Sequence, residues 1–168
     1  MKRIIFLGNR EETLNLLCLF FNVYLVVTSN KSRVHKSYKK KILIINSKNK
    51  NSIFKILIKS KAEILVSAGF PFLIPKYVLK RFKININCHP GKLPDYKGYK
   101  SIDYAYLNKD TRFYSTIHHM NEKIDCGKKI VNLNFNGKNL NLHQIKQMYF
   151  SYFEPYTLFL ALKKMRII

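Results

Sequence analysis

The sequence lacks several features that would place it in other protein classes. Its three cysteines, Cys18, Cys88 and Cys126, form no Cys-x-x-Cys pair. The sequence therefore predicts reduced thiols rather than a disulfide framework or a cysteine-ligated zinc site. No run of about 18 uncharged apolar residues occurs, which argues against a membrane-spanning helix. The apolar start is too short for a signal peptide, so we expect a cytoplasmic protein with no membrane partner.

Acidic residues are also scarce, with nine Asp and Glu against 31 Lys and Arg, for a net charge of +22. Such an excess is typical of proteins that bind polyanions such as RNA, DNA or a sugar nucleotide. Only six of the basic residues are Arg, although bidentate recognition of phosphates and bases favours Arg over Lys. We interpret the charge mainly as a coding bias, so nucleic acid stays an open but unfavoured partner.

Short apolar runs alternate with segments of helical spacing through most of the chain. Buried strands are predicted over 2–7, 23–28, 42–45, 64–67 and 84–88, and helices over 11–20, 49–60, 77–81 and 101–107. This alternation predicts an α/β protein with a Rossmann-like, mostly parallel central sheet and helices on both faces. Two later strands are expected over 113–120 and 129–135. A polar, basic loop is expected over 29–41, and a helix over 140–164 that Pro155 should kink or break.

The stretch 84–98 carries the most chemistry. Asn87 and His89 are two residues apart at the carboxyl end of a predicted strand, so their side chains share a face. Sites of parallel sheets lie outside this end of the strands. There, an amide can stabilise a developing oxyanion while an imidazole moves a proton. Taken alone, the pair is better explained as a polar strand end, because single motifs of this kind are weak.

A second stretch, 116–127, contributes a carboxylate. Asp125 precedes Gly127 and is placed to orient His89 and stabilise its protonated form. A turn aspartate before glycine is the alternative. The neighbouring His118 and His119 face opposite sides of a regular strand and cannot chelate one ion, so we predict no metal site.

The chain resembles the formyltransferase superfamily over essentially its whole length, in three motifs: Asn87-x-His89-Pro90, Leu93-Pro94-x-Tyr96-Lys97-Gly98 and Ile124-Asp125-x-Gly127. The resemblance implies the formyltransferase fold and transfer of a formyl group from 10-formyltetrahydrofolate to an amine, without a metal. It also implies that Asn87 binds the oxyanion, that His89 assists proton transfer and that Asp125 holds His89.

The resemblance further implies where the two co-substrates bind. The folate pterin is expected against main-chain groups and apolar flanks at Phe70, Pro71, Phe72, Leu73, Ile74, Asn121 and Ile124. The acceptor is expected near Gly8, Asn9, Arg10, Lys92, Tyr96 and Lys97. On physical grounds alone, the apolar members of the first group could equally belong to the core.

Three acceptors remain open within the family. Gly91-Lys92 is most similar to the sugar N-formyltransferases and predicts a nucleotide-linked amino sugar. Methionyl-tRNA formyltransferases usually add a C-terminal barrel domain, which is not expected here because we predict one catalytic domain over 1–168. Glycinamide ribonucleotide formyltransferases carry small residues where this chain has Glu11 and Glu12. A homodimer stays open, as does a basic nucleic-acid-binding module without activity on the same scaffold.

Overall fold

The structure, a computed structural model, describes residues 1–29, 38 and 41–168. The predicted loop over 29–41 therefore lies almost entirely outside the described residues. The chain forms two compact units, Met1–Asn87 and Cys88–Ile168. In the described part of the chain, no helix is both long and apolar enough to cross a membrane.

The first unit is a parallel sheet whose strands are connected by helices. Its elements are β1 (Arg3–Gly8), α1 (Glu11–Phe20), β2 (Asn22–Thr28), β3 (Ile42–Ile44), α2 (Lys50–Ile58), β4 (Ile64–Ala68), α3 (Lys76–Leu79) and most of β5 (Ile84–His89). Strand β1 pairs with β2 and β4, and β3 pairs with β2, all in parallel. The predicted α/β architecture with a mostly parallel sheet is confirmed.

Burial on both faces explains why β1 is apolar throughout instead of alternating. Ile4, Ile5, Phe6 and Leu7 are all fully buried, as expected for a parallel strand covered by helices on both sides. Burying each such side chain contributes about 1.5–3 kcal/mol. This strand therefore forms the centre of the first unit's core.

The carboxyl ends of β1 and β4 approach each other through glycine. Gly8 has φ +136°, and a Cβ built on it would lie 1.8 Å from the carbonyl oxygen of Ala68. The amide of Asn9 donates to the same oxygen at 3.1 Å. Gly69 has φ +70° and lies against the Asn9 and Arg10 side chains. The loop after β1 is thus held against the loop after β4.

Replacing these two glycines should separate steric from conformational costs. Gly69→Ala should cost about 1 kcal/mol for the left-handed backbone, because the Asn9 side chain can move away. Gly8→Ala should cost at least about 3 kcal/mol, because the obstructing atom is backbone. Urea unfolding of the two variants measures both values, and equal costs would contradict the close approach at Gly8.

The second unit begins with the last residues of β5 and contains an antiparallel strand pair. Its further elements are α4 (Ser101–Leu107), β6 (Arg112–His119), β7 (Lys129–Asn136), α5 (Leu142–Met148), a π-helix (Tyr149–Phe153) and α6 (Glu154–Lys164). Strands β6 and β7 pair antiparallel, with a register shift at Ile117/His118. The core contains Ile102, Ala105, Phe113, Ile145 and Tyr149.

The expected helix over 140–164 is interrupted near Pro155, as predicted. Pro155 lies in the first turn of α6, and the π-helix directly precedes it. Proline donates no backbone hydrogen bond and its ring crowds the preceding turn, which favours the wider turn of a π-helix. The side chain of Tyr149 in this turn is fully buried, and its hydroxyl donates to Ser115 Oγ at 3.1 Å.

Candidate active site

His89 ends β5 as a buried side chain with partners at both ring nitrogens. Only 3% of its side chain is exposed. Its Nδ1 lies 3.2 Å from Asp125 Oδ2, and its Nε2 lies 2.5 Å from the carbonyl oxygen of Tyr96. Asn87 is half-buried two residues earlier in the same strand. The two contacts fix the plane of the imidazole from opposite sides.

Asp125 lies in the loop between β6 and β7 with φ +49°, a conformation that aspartate tolerates better than most residues. Its Oδ2 accepts the amide of Gly98 at 2.7 Å in addition to facing His89. Its Oδ1 lies 3.3 Å from His118 Nε2. One carboxylate therefore joins two imidazoles and the main chain of the loop over 90–100, here called the motif loop.

His118 is the site residue that the sequence reasoning missed, having considered it only as a metal ligand. It is buried at the end of β6, and its Nδ1 lies 2.8 Å from the carbonyl oxygen of His119. The available signal was that His118 lies near the carboxyl end of a predicted strand (113–120) and that His89 directly follows another (84–88). Within residues 1–29, 38 and 41–168, no three His, Cys, Asp or Glu side chains are arranged to hold a metal ion.

The charges of this cluster are set by burial acting against close partners. Burial lowers the pKa of His89 below its usual value, although Asp125 and the Tyr96 carbonyl each act to raise it. Burial also acts to raise the pKa of Asp125. The hydrogen bond from His118, the charge of His89 and the Gly98 amide together outweigh that effect and lower it. The carboxylate is thus maintained next to an imidazole that can gain or lose a proton.

Small and hydroxylated residues hold the motif loop against His89. Thr116 Oγ1 donates to the carbonyl of Gly91 at 2.7 Å, and Ser101 Oγ donates to the carbonyl of Gly98 at 2.8 Å. A Cβ built on Gly91 would lie 2.8 Å from His89 Nε2. Glycine at this position is therefore required by the close packing of the loop on the imidazole.

Two of the predicted acceptor-binding lysines have partners on the surface of the second unit. Lys92 forms an exposed ion pair with Asp95 at 2.8 Å, and Lys97 Nζ lies 3.1 Å from Cys126 Sγ. Lys97 also borders a cavity of about 280 Å³ that reaches Asp125, with the lining Leu93, Pro94, Lys97, Asp125, Cys126, Gly127 and Lys129. The structure thus brings Lys97 together with Asp125 and leaves Lys92 on the surface.

The other residues of the second unit that are predicted to bind a co-substrate differ in their hydrogen bonds and in their exposure. The hydroxyl of Tyr96 donates to Asp110 at 2.7 Å. Asn121 Oδ1 accepts the amide of Lys123 at 3.0 Å and so closes a local turn. Ile124 is 57% exposed beside Asp125. An exposed apolar side chain at this position is compatible with the flat ring that the sequence analysis expects there.

The predicted pterin loop lies between β4 and α3, in the first unit. Phe70 and Phe72 pack edge to face with ring centroids 5.9 Å apart. Pro71 is exposed and Leu73 is 56% exposed, whereas Ile74 is buried in the core. The loop also follows Gly69, against which Asn9 and Arg10 pack. The roles of these residues in binding stay predictions.

The comparisons with known proteins identify the family. The model described as formyl transferase matches residues 24–143, which is most of the chain. The chain therefore belongs to the formyl transferase family, which confirms the resemblance seen in the three motifs.

Curated relatives match a shorter segment. The methionyl-tRNA formyltransferase of Latilactobacillus sakei subsp. sakei (strain 23K) is 37% identical over 75 residues, which cover 44% of this chain and 24% of that protein. A methionyl-tRNA formyltransferase of Listeria innocua matches to the same extent. The match thus spans about a quarter of the length of these relatives.

Solved structures match nearly the whole chain at low identity. Phosphoribosylglycinamide formyltransferase from Streptococcus pneumoniae TIGR4 has a TM-score of 0.85 at 16% identity, covering 98% of both chains. The corresponding protein from Campylobacter jejuni subsp. jejuni NCTC 11168 has a TM-score of 0.83 at 21% identity, covering 98% of this chain and 97% of that chain. A formyltetrahydrofolate deformylase from Pseudomonas syringae pv. tomato str. DC3000 has a TM-score of 0.79 at 18% identity, covering 96% and 60%. These matches confirm the predicted formyltransferase fold.

Removing the charge of Asp125 should change the titration of His89. In Asp125→Asn, the pKa of His89 should fall further, because the carboxylate that opposes the effect of burial is gone. The imidazole resonances followed by NMR across pH measure this directly. Asp103→Asn, which removes an ion pair with Lys146 on another part of the unit, serves as the control. An unchanged His89 titration in Asp125→Asn would contradict the electrostatic coupling.

Acidification should destabilise the protein through the same two groups. The pKa values of His89 and Asp125 both lie below their ordinary values of 6.5 and 3.8. Each group therefore contributes stability that is present above its ordinary value and lost as the pH falls through its folded value. Urea unfolding between pH 8 and pH 3 should show this decline, with a weaker decline just below pH 6.5 in His89→Gln. Parallel pH profiles of the two proteins would argue against a lowered His89 pKa.

Proposed function

We propose that the chain transfers a formyl group from 10-formyltetrahydrofolate to a primary amine. The observation that carries this proposal is the buried contact between His89 and Asp125 in a member of the formyl transferase family. Formyl transfer needs a group that stabilises an oxyanion and a group that moves a proton between two nitrogens. The cluster around Asp125 supports the second need, and the position of Asn87 supports the first.

The reaction assigns one step to each side chain. The acceptor amine attacks the formyl carbon, and the Asn87 amide donates a hydrogen bond to the resulting oxyanion. The bond between the formyl carbon and N10 of the folate then breaks, and the proton lost by the attacking amine is delivered to N10. His89 carries this proton and Asp125 stabilises the imidazolium, with a water completing the path. The cavity beside Asp125 supports this assignment because it connects the carboxylate to solvent.

The folate is proposed to bind through main-chain groups and apolar flanks. Leu73 in the first unit and Ile124 in the second unit are each exposed, and each supplies a solvent-facing apolar side chain of the kind that contacts a flat ring. Phe70 and Phe72 pack on each other and add apolar surface to the same loop as Leu73. Within this proposal, Ile74 contributes main-chain contacts alone, because its side chain belongs to the core.

The acceptor proposed from the sequence is an amino sugar linked to a nucleoside diphosphate. Its main support is the pair Gly91-Lys92, which also has a local explanation. Gly91 leaves room for the close approach of the His89 ring, and Lys92 forms an ion pair with Asp95. A second candidate is charged methionyl-tRNA. It is favoured by the 37% identity to methionyl-tRNA formyltransferases and by the net charge of +22.

A formyl-transfer assay with matched variants tests the activity. With 10-formyltetrahydrofolate as donor, Asn87→Ala should lower the rate by about 100- to 1000-fold, as loss of one oxyanion donor does. His89→Gln should also lose most activity, whereas His143→Gln, an exposed histidine on α5, should retain it. Absence of product with every acceptor from a folded protein would overturn the proposal.

The same assay separates the acceptors. It is run with nucleotide-linked amino sugars, glycinamide ribonucleotide and charged initiator methionyl-tRNA. Formylation of an amino sugar alone would support the first candidate. Formylation of the transfer RNA alone, with a rate that falls steeply as salt rises, would show that the positive charge binds the acceptor.

A further inference from the structure

Tyr96 is held at three points, one of which is His89. Its amide donates to the carbonyl of Lys92 at 2.8 Å, and its own carbonyl accepts from His89 Nε2 at 2.5 Å. Its hydroxyl donates to Asp110 Oδ2 at 2.7 Å and accepts from Asn108 Nδ2 at 3.1 Å. One residue thus connects the imidazole, through its main chain, to a carboxylate that does not belong to the cluster around Asp125.

The far end of this connection is rigidly placed. Asp110 lies three residues after the end of α4, and its amide donates to the carbonyl of Ala105 at 3.0 Å. Lys109 before it closes the helix with φ +60°. The ring of Tyr96 packs against the core cluster that includes Ile102. The hydroxyl is therefore tied to the segment that closes α4.

The hydroxyl also has the protonation state that the contact requires. The hydrogen bond from Asn108 acts to lower the pKa of Tyr96, and acceptance by Asp110 together with its charge outweighs this effect and raises it. Tyr96 is therefore a neutral phenol at neutral pH and donates to the carboxylate. Hydrogen bonds to charged groups are among the stronger ones in proteins.

The main chain of the motif loop is held on either side of Tyr96, at Gly91 by Thr116 and at Gly98 by Asp125. Lys92, Asp95 and Lys97 are exposed, and the ion pair between Lys92 and Asp95 lies within the loop itself. Between Gly91 and Gly98 the hydroxyl of Tyr96 adds the tie to Asp110, and without it the Tyr96 carbonyl would be held less firmly. The shorter of the two contacts of His89 Nε2 would then be weakened, leaving the contact with Ser101 Oγ at 3.3 Å.

We propose that Tyr96, anchored by Asp110, is a positioning residue that sets the orientation and proton affinity of His89. The catalytic importance of this positioning rests on the proposed function, whereas the tie between Asp110 and His89 does not. Tyr96 acts through its carbonyl oxygen, which favours the protonated imidazole, and its hydroxyl keeps that oxygen in place. The hydroxyl is not assigned a contact with substrate.

The first test is the titration of His89 followed by NMR in Tyr96→Phe. This variant keeps the ring in the core and removes the contact with Asp110. The pKa of His89 should fall, because the carbonyl that helps to raise it is held less firmly. Tyr104→Phe, at an exposed tyrosine of α4, should leave the titration unchanged. A Tyr96→Phe protein that is less stable but titrates as the parent does would overturn the proposal in favour of a purely structural role.

Variants of Asp110 test the other end of the tie. Asp110→Ala should reproduce the shift seen in Tyr96→Phe, and the double variant should show no larger shift, because both changes break one contact. Asp110→Asn retains an oxygen acceptor and should restore most of the parent titration. Additive shifts in the double variant would overturn the proposal.

Kinetics then separate this inference from the proposed function. In the formyl-transfer assay, Tyr96→Phe should lower kcat by about tenfold while changing KM for the folate less than about twofold, as expected for misplacement of a catalytic group. If Tyr96→Phe shifts the His89 titration although the parent protein has no formyl-transfer activity, the positioning role is supported and the proposed function is contradicted. If the parent protein is active and Tyr96→Phe leaves the His89 titration unchanged, the positioning role alone is overturned.

Discussion

The contact of one buried carboxylate with two imidazoles is the constraint on which the site depends. Asp125 faces His89 at 3.2 Å and His118 at 3.3 Å, and accepts the Gly98 amide at 2.7 Å. A buried carboxylate is costly unless its oxygens are paired. The Gly98 amide of the motif loop and the side chains of His89 and His118 supply these partners. Pairing of Asp125 therefore holds the motif loop and the loop after β6 together.

Around this carboxylate, local backbone requirements decide several residue identities. Gly91 permits the loop to reach His89, and a Cβ on Gly127 would lie 1.6 Å from the carbonyl oxygen of His119. Gly127 belongs to the motif Ile124-Asp125-x-Gly127, whereas Gly91 lies between the other two motifs, and the structure gives a steric reason for each glycine. Residues next to a proposed catalytic group can thus be required by packing, without contacting a substrate themselves.

The surroundings of His89, the side chain proposed to move the proton, combine burial with two hydrogen-bond acceptors. Burial lowers its pKa, and two acceptors on opposite sides of the ring act to raise it. One acceptor is charged and lies in the loop after β6, and the other is a main-chain carbonyl in the motif loop. The balance between these effects depends on distances of a few tenths of an ångström, which is why the supports behind each acceptor matter.

The order of strands and helices and the carboxyl-end position of Asn87 and His89 could be predicted from the sequence, because apolar periodicity is a local property. The pairing of His89 with Asp125, 36 residues further along, was favoured over a turn aspartate only by the resemblance to the formyltransferase superfamily. The roles of His118 and of the hydroxyl of Tyr96 could not be predicted from the sequence. His118 lies seven residues before Asp125 and Asp110 lies 14 residues after Tyr96, and nothing in the intervening residues indicates that these pairs meet. Tertiary structure decided those contacts, because a buried carboxylate or a phenol hydroxyl takes whichever partner the packing of strands and loops brings within hydrogen-bonding distance.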